Sequence, residues 1–140
     1  LFRLRWRDVQ FGMHAAIEVR HSRRDHNRPR KIPLNKLAET ALKPWKSNRR
    51  RRGTLVFPSP SGGTLKSIEG SWKRLLRETG LRNFRISDCR HDFAVQLVRS
   101  GVPLGQVRDL LGHSSITLTE RYAPFAPGSA RDAVQKLLRN

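Results

Sequence analysis

The stretch that decides the fold is Leu-Leu-Gly-His-Ser-Ser at positions 110–115, and Tyr122 follows His113 nine residues later. Arg90 lies upstream, where it begins the run Arg-His-Asp-Phe-Ala at positions 90–94. Apolar residues at three- and four-residue spacings around both runs predict helices, and Gly112 is the residue at which one helix stops. The order Arg90, His113, Tyr122 then indicates one pocket that holds a cation, an imidazole and a phenol.

These three side chains suit the transfer of a nucleic-acid strand through a covalent phosphotyrosine. A phenol has an unperturbed pKa near 10, so it needs nearby cations to act as a phenolate nucleophile. The guanidinium of Arg90 can give a phosphate two parallel hydrogen bonds, and an imidazole adds a donor at neutral pH. Taken singly, each residue has an ordinary alternative: a packing tyrosine, a helix cap and a surface arginine. Their order favours a shared site.

The charge of the chain indicates a polyanionic partner. Its 140 residues, 36% of them hydrophobic, fit one domain with a genuine core. Lys and Arg number 29 against 11 Asp and Glu, which gives a formal net charge of +18. Because the basic residues alternate with apolar ones, they indicate a folded domain with a charged face rather than a disordered tail. The sequence contains no long apolar run and no amphipathic basic helix with Trp or Phe opposite, so membrane binding is disfavoured.

Cys89 is the single cysteine of the chain and cannot form an internal disulfide. No signal-peptide pattern begins the sequence. We therefore expect a protein of the reducing cytoplasm, in which Cys89 is a small buried core residue.

The amino-terminal half is predicted to hold a small antiparallel sheet. Residues 1–6 have the pattern of the end of an amphipathic helix. Residues 13–20 and 28–34 are predicted strands, joined by a polar hairpin loop at 21–27 into a basic ribbon that could enter a groove. Pro29 and Pro33 restrict the second strand to a sheet edge or its ends.

Helices are predicted for the rest of the chain. Asn35 can cap a helix that ends near Trp45, where Pro44 would break it. The four arginines at 49–52 form a loop that is either a solvated face or a phosphate contact. Further helices are predicted over 64–79, with a C-cap at Gly80 and a core-facing apolar stripe, and over 88–99, 103–111, 114–123 and 130–138. Ser114 or Ser115 caps the helix that carries Tyr122. The expected fold is α+β, mainly helical, with a small antiparallel sheet.

The quoted runs resemble the carboxy-terminal catalytic domain of the tyrosine recombinases, the phage integrase family. Residues 110–116, 119–123 and 90–94 carry the resemblance, and positions 4–9 and 30–34 are similar to earlier landmarks of that domain. The resemblance implies that Tyr122 is the nucleophile of a 3′-phosphotyrosyl intermediate, Arg90 the second clamp arginine and His113 the second histidine. His91 would be a structural buttress. It also implies that no metal or other cofactor is needed, because cations stabilise the phosphate.

Three departures from the family pattern bear on activity. The first clamp arginine of the family would precede Leu1, so we expect residues 1–140 to be one amino-terminally truncated catalytic domain, inactive as a fragment and lacking the family's amino-terminal DNA-binding domain. Ser87 stands where the family usually has a histidine, and it can donate a hydrogen bond without carrying charge. Asp25 stands near the position expected for the family's hairpin lysine, the general acid, unless the alignment slips by a residue or two across the hairpin. A catalytically weakened or silent DNA-binding remnant is therefore the alternative to an active recombinase.

The resemblance and the charge together predict double-stranded DNA as the partner, with other protomers assembled on it. A basic RNA-binding protein is a third possibility, but it leaves the order of Arg90, His113 and Tyr122 unexplained. The expected location is the bacterial nucleoid in the cytoplasm, for a protein of bacterial or phage origin. The predicted DNA contacts are cations of the hairpin and of the arginine loop: Arg23, Arg24, Arg28, Lys31, Arg49, Arg50, Arg51 and Arg52.

Overall fold

The chain divides into two units, Leu1–Arg82 and Asn83–Asn140, in a computed structural model that describes residues 2–19, 29–47 and 53–128. The predicted hairpin loop at 21–27, the arginine run at 49–52 and the helix at 130–138 lie outside the described residues. The first unit holds the elements Trp6–Asp8 (a 3₁₀ helix), β1 Val9–Gln10, β2 Ala16–Val19, β3 Arg30–Pro33, α1 Lys36–Ser47 and α2 Glu69–Thr79. The second holds α3 Ile86–Arg99, α4 Leu104–Leu111, α5 Thr117–Glu120 and the 3₁₀ helix Ala123–Phe125.

The three strands form an antiparallel sheet in the order β1-β2-β3. Val9 pairs with Ile17, and Ile17 pairs with Ile32, so these apolar side chains share one face of the sheet. Pro33 is the last residue of β3, which lies at an edge where the missing N–H of proline is tolerated. The two predicted strands and the fold class are confirmed. Strand β1 is too short to show a period and was not predicted.

The helix predicted at the amino terminus is wrong for residues 2–6. The N–H of Trp6 donates to the carbonyl of Thr54 at 2.9 Å, and the carbonyl of Leu4 accepts from the N–H of Val56 at 2.9 Å. Because these backbone groups pair with a distant segment, they cannot make helical hydrogen bonds.

Helix α1 begins as predicted and ends later than predicted. The side chain of Asn35 accepts a hydrogen bond from the N–H of Ala38 at 2.9 Å, which is an N-cap contact. The helix continues through Pro44 to Ser47. The side chain of Trp45 donates to the carbonyl of Val56 at 2.6 Å, and this tertiary contact holds the final turn despite the proline.

Helix α2 begins at Glu69 rather than at the predicted position 64, because Thr64 forms a bridge with Pro58 across a tight turn. It ends at Gly80, whose φ of 70° is the predicted left-handed cap. The expectation that the apolar stripe of this helix packs a core is wrong. None of its residues is buried, and Leu75 is 46% exposed.

The core of the second unit lies where α3, α4 and the segment after α5 meet. Helix α3 starts two residues earlier than predicted, and it contributes Ala94, Val95 and Val98 to the core while Phe93 is 42% exposed. Cys89 is exposed, so its predicted burial is also wrong. The buried cluster consists of Ala94, Val95, Val98, Val107, Leu111 and Tyr122. In the part of the chain that the structure describes, no helix has the length and apolar character to span a bilayer.

A buried carboxylate ties the β1–β2 turn to α1. Glu39 is 7% exposed, and its Oε1 accepts hydrogen bonds from the N–H of Gly12 at 3.0 Å and from Lys43 Nζ at 2.9 Å. The hydrogen bond from Gly12 and then the interaction with Lys43 hold the pKa of Glu39 below its usual value. Gly12 has a φ of 103°, a conformation that favours glycine.

We expect Glu39→Gln to lower the Tm by several degrees at pH 7, because the amide carries no charge for Gly12 and Lys43 to stabilise. The pKa of folded Glu39 lies below the ordinary value of 4.5, so its stabilisation is complete above pH 4.5 and disappears as the pH falls through the folded pKa. The difference in Tm between the two proteins should therefore shrink in acid, as measured by circular dichroism.

Glu69→Gln is the matched control. Glu69 pairs with Lys73 at the same helical spacing, but both side chains are 70% exposed. Its substitution should leave the Tm almost unchanged at pH 7. Equal effects of the two substitutions would contradict a special role for Glu39.

Candidate active site

The first two turns of α3 carry two of the predicted site residues, Ser87 and Arg90. Asp88 Oδ2 accepts the N–H of Arg85 at 2.8 Å, and the guanidinium of Arg85 lies 3.1 Å from Oδ1. These hydrogen bonds, the backbone one first, lower the pKa of Asp88. The ionised cap fixes the turn from which Ser87 and Arg90 project, three residues apart and thus on one face. Ser87 is exposed, with Oγ 3.5 Å from Asp88 Oδ1.

The Arg90 side chain reaches the end of α4. Its Nη2 donates a hydrogen bond to the carbonyl of Leu111, the last residue of that helix. Carbonyls in the last turn of a helix lack intrahelical donors and favour cations. Since a guanidinium has five N–H donors, this anchor still permits other N–H groups of Arg90 to bind a phosphate.

His113 begins the segment that follows α4. The helix ends at Gly112, whose φ is 66°, and the N–H groups of Gly112 and His113 donate to the carbonyl of Arg108 at 2.8 and 3.1 Å. The reversal therefore fixes the backbone of His113, whose side chain is half-buried. His113 Nδ1 lies 2.8 Å from Thr119 Oγ1.

Tyr122 lies just beyond α5, and the prediction that it belongs to that helix is wrong. The Oγ of Ser115 accepts the N–H of Thr117 at 3.2 Å, but the N-cap residue of α5 is Ile116, so the predicted serine cap is wrong. Tyr122 donates its N–H to the carbonyl of Thr119 at 2.9 Å, and the residue is 5% exposed. The ring centroid lies 5.2 Å from that of His91, at an interplanar angle of 50°. The imidazole of His91 therefore packs against the phenol ring, and its buttress role stays a prediction.

The structure links three of the four predicted catalytic residues through short connections. The side chain of Arg90 and the backbone N–H of His113 both donate to carbonyls in the last turn of α4, and Thr119 contacts both His113 and Tyr122. Ser87 lies one turn before Arg90, and its side chain is directed to Asp88. The catalytic roles of these residues stay predictions.

The predicted DNA contacts are described only in part. Lys31 is exposed in β3, opposite Glu18 of β2, within the first unit. The other seven lie outside the described residues, as does Asp25: Arg23, Arg24, Arg28, Arg49, Arg50, Arg51 and Arg52.

Two groups in the site were not predicted from the sequence. Thr119 belongs to one of the family-like runs, but the sequence around it does not indicate that its side chain is buried next to a histidine. The one local hint is a polar residue on the inward face of a short helix. The Leu111 carbonyl is a backbone group, so no residue type could have indicated it.

Most of the chain matches one protein family. Residues 1–127 match the phage integrase family. The chain belongs to that family. Among curated relatives, it is 32% identical over 121 residues to the tyrosine recombinase XerC of Roseiflexus sp. (strain RS-1), covering 79% of this chain and 38% of that protein. It is 33% identical over 67 residues to the integrase of Salmonella phage P22, covering 48% of this chain and 17% of that integrase. The chain thus spans less than half the length of these relatives.

Solved structures of integrase-family proteins share the fold. A post-cleavage complex of the XerH site-specific recombinase with its difH substrate superposes with a TM-score of 0.74 at 22% identity, covering 95% of this chain and 39% of that one. The catalytic domain of bacteriophage HP1 integrase superposes with a TM-score of 0.59 at 22% identity, covering 94% of this chain and 73% of that domain.

We expect Tyr122→Phe to leave the stability of the integrase-family chain nearly unchanged, because it removes one oxygen and keeps the buried ring. Tyr122→Ala should lower the free energy of unfolding by about 3–5 kcal/mol, since it leaves a cavity in the core. Urea unfolding of the two variants measures both effects. A tolerated alanine would show that the ring does not hold the core together.

Proposed function

We propose that the protein carrying this chain is a site-specific DNA recombinase that cuts and rejoins strands through a 3′-phosphotyrosine. One observation carries the proposal: the end of α4 receives the guanidinium of Arg90, and His113 follows directly, hydrogen-bonded to the segment that carries Tyr122. The guanidinium, the imidazole and the phenol that we assign to the reaction thus lie on hydrogen-bonded segments of the second unit.

The proposed reaction transfers a phosphoryl group without loss of phosphodiester energy. The phenol of Tyr122 loses its proton and its oxygen attacks the phosphorus, the bond from phosphorus to the 5′ oxygen breaks, and that oxygen takes up one proton and leaves as a hydroxyl. Arg90 and His113 stabilise the negative charge that develops on the phosphate oxygens. A 5′ hydroxyl of another strand then reverses the step and releases Tyr122. The reaction as proposed uses no metal, because cations of the protein stabilise the phosphate.

Double-stranded DNA is the proposed substrate, bound by several protomers together in the cytoplasm at the nucleoid. The charge of +18 supports a polyanion, and phosphate neutralisation supplies most non-specific affinity for DNA. Among proteins of this fold, the XerH recombinase and the Tn1549 transposon integrase are described as DNA complexes. Integration, excision and dimer resolution would all use the same chemistry.

A DNA-binding remnant with weakened chemistry is the second candidate. Ser87 favours it, because an exposed hydroxyl hydrogen-bonded to Asp88 brings no positive charge to the turn that carries Arg90. The two candidates share DNA binding and differ only in whether a covalent intermediate forms.

Tyr122→Phe tests the nucleophile. The full-length protein is incubated with a nicked suicide substrate, and the covalent protein–DNA adduct is detected on a denaturing gel. We expect the wild-type protein to form the adduct and the Tyr122→Phe protein to form none while it binds DNA with unchanged affinity. An adduct with the phenylalanine variant would exclude Tyr122 as the nucleophile. Binding without any adduct for the wild-type protein would favour the remnant.

Arg90→Ala should lower the cleavage rate by roughly 10²–10³-fold, as the loss of one preorganised transition-state donor does. DNA affinity should change little, because many other cations remain. Arg74→Ala is the control: it removes the same charge from an exposed ion pair with Glu78 on α2. Equal losses of binding and cleavage in Arg90→Ala would identify Arg90 as an affinity contact.

A further inference from the structure

Thr119 is a fully buried polar residue with a position of its own in the site. Its relative exposure is 0%, and its Oγ1 lies 2.8 Å from His113 Nδ1. A buried hydroxyl needs a hydrogen-bond partner, and the imidazole supplies one. The contact specifies the orientation of the imidazole, because Oγ1 lies against Nδ1 and a ring turned by 180° would lose this hydrogen bond.

The backbone of Thr119 is held as firmly as its side chain. Its N–H donates to the carbonyl of Ile116 at 2.7 Å, and its carbonyl accepts the N–H of Tyr122 at 2.9 Å. Through its carbonyl Thr119 holds the turn that carries Tyr122, and through its hydroxyl it holds the imidazole of His113. The opposite end of that connection is also fixed, since the His113 backbone is anchored to the end of α4.

With Nδ1 engaged by Thr119, contact with a phosphate oxygen falls to Nε2. The hydroxyl can donate to Nδ1 of a neutral imidazole, whose proton is then on Nε2. Its oxygen can equally accept a hydrogen bond from Nδ1–H of an imidazolium. In these two states Nε2 carries the proton that a phosphate oxygen needs, and an anionic phosphate at Nε2 favours them over the neutral tautomer that is protonated on Nδ1.

We propose that Thr119 is a positioning residue that orients His113 so that Nε2 donates to the phosphate during strand cleavage. The inference rests on the proposed recombinase function. Thr119 touches no reacting atom in this account and acts only through the imidazole. Partners that orient metal-bound histidines through the second ring nitrogen contribute 10–100-fold, and we expect an effect of about that size here.

The test compares Thr119→Val with Thr119→Ser and Thr117→Val in the full-length protein. Valine keeps the branched shape and removes the hydroxyl, whereas serine keeps the hydroxyl. Thr117 is an exposed threonine of α5, so Thr117→Val is the same chemical change on the same helix. Single-turnover cleavage of the nicked substrate should fall about 10–100-fold in Thr119→Val and stay within a few-fold of wild type in the other two variants.

A double-mutant cycle separates positioning from a general structural effect. If Thr119 acts through the imidazole, Thr119→Val should cause no further loss in the His113→Ala background. Independent, multiplicative losses would overturn the inference, as would a wild-type rate for Thr119→Val. Should the valine variant fail to fold, Thr119→Ala replaces it, with the same expected loss and the same serine rescue.

Nitrogen-15 spectra of the histidine rings provide a readout that does not depend on activity. The resonances of His113, assigned by their absence from His113→Ala, should shift in Thr119→Val and not in Thr119→Ser. Unchanged resonances in Thr119→Val would overturn the inference. If the wild-type protein forms no adduct while the resonances shift, the orienting contact stands and the recombinase function is the part that fails.

Discussion

Helix α4 ends in a left-handed glycine, and the hydrogen bonds of that end organise the second unit. The carbonyl of Arg108 accepts two N–H groups from the reversal, and the carbonyl of Leu111 accepts the guanidinium of Arg90. A helix end presents carbonyls that need donors and a partial negative charge that favours a cation. A residue with a side chain at Gly112 would be strained at a φ of 66°, so both phosphate-binding candidates depend on this one turn.

Residues of the candidate site also belong to the core of the second unit. The ring of Tyr122 is part of the buried cluster formed by α3 and α4, and Thr119 is buried beside it. Burying a phenol and a hydroxyl is favourable only when packing and hydrogen bonds replace contacts with water. The same contacts restrict the rotamers of the two side chains. A candidate nucleophile built into a core therefore starts from a defined position, at the cost that most substitutions there also change folding.

Two of the places where sequence patterns failed share one physical cause. Residues 2–6 have a helical pattern, but Leu4 and Trp6 pair with backbone groups some fifty residues away along the chain. Pro44 is a helix breaker by propensity, yet the hydrogen bond of Trp45 to a distant carbonyl holds the last turn of α1. In each case a long-range contact outweighs a local preference, which contributes on the order of 1–3 kcal/mol.

The sequence by itself determined the features that depend on local chemistry. Charge indicated a polyanionic partner, glycine and asparagine marked helix ends, and the order of Arg90, His113 and Tyr122 indicated the family. Only the tertiary structure decided which groups meet: Arg90 finds a carbonyl 21 residues away, and His113 finds the hydroxyl of Thr119 rather than solvent. Periodicity and capping act over one or two turns, whereas these contacts depend on how helices pack, and a backbone carbonyl leaves no trace in residue identity.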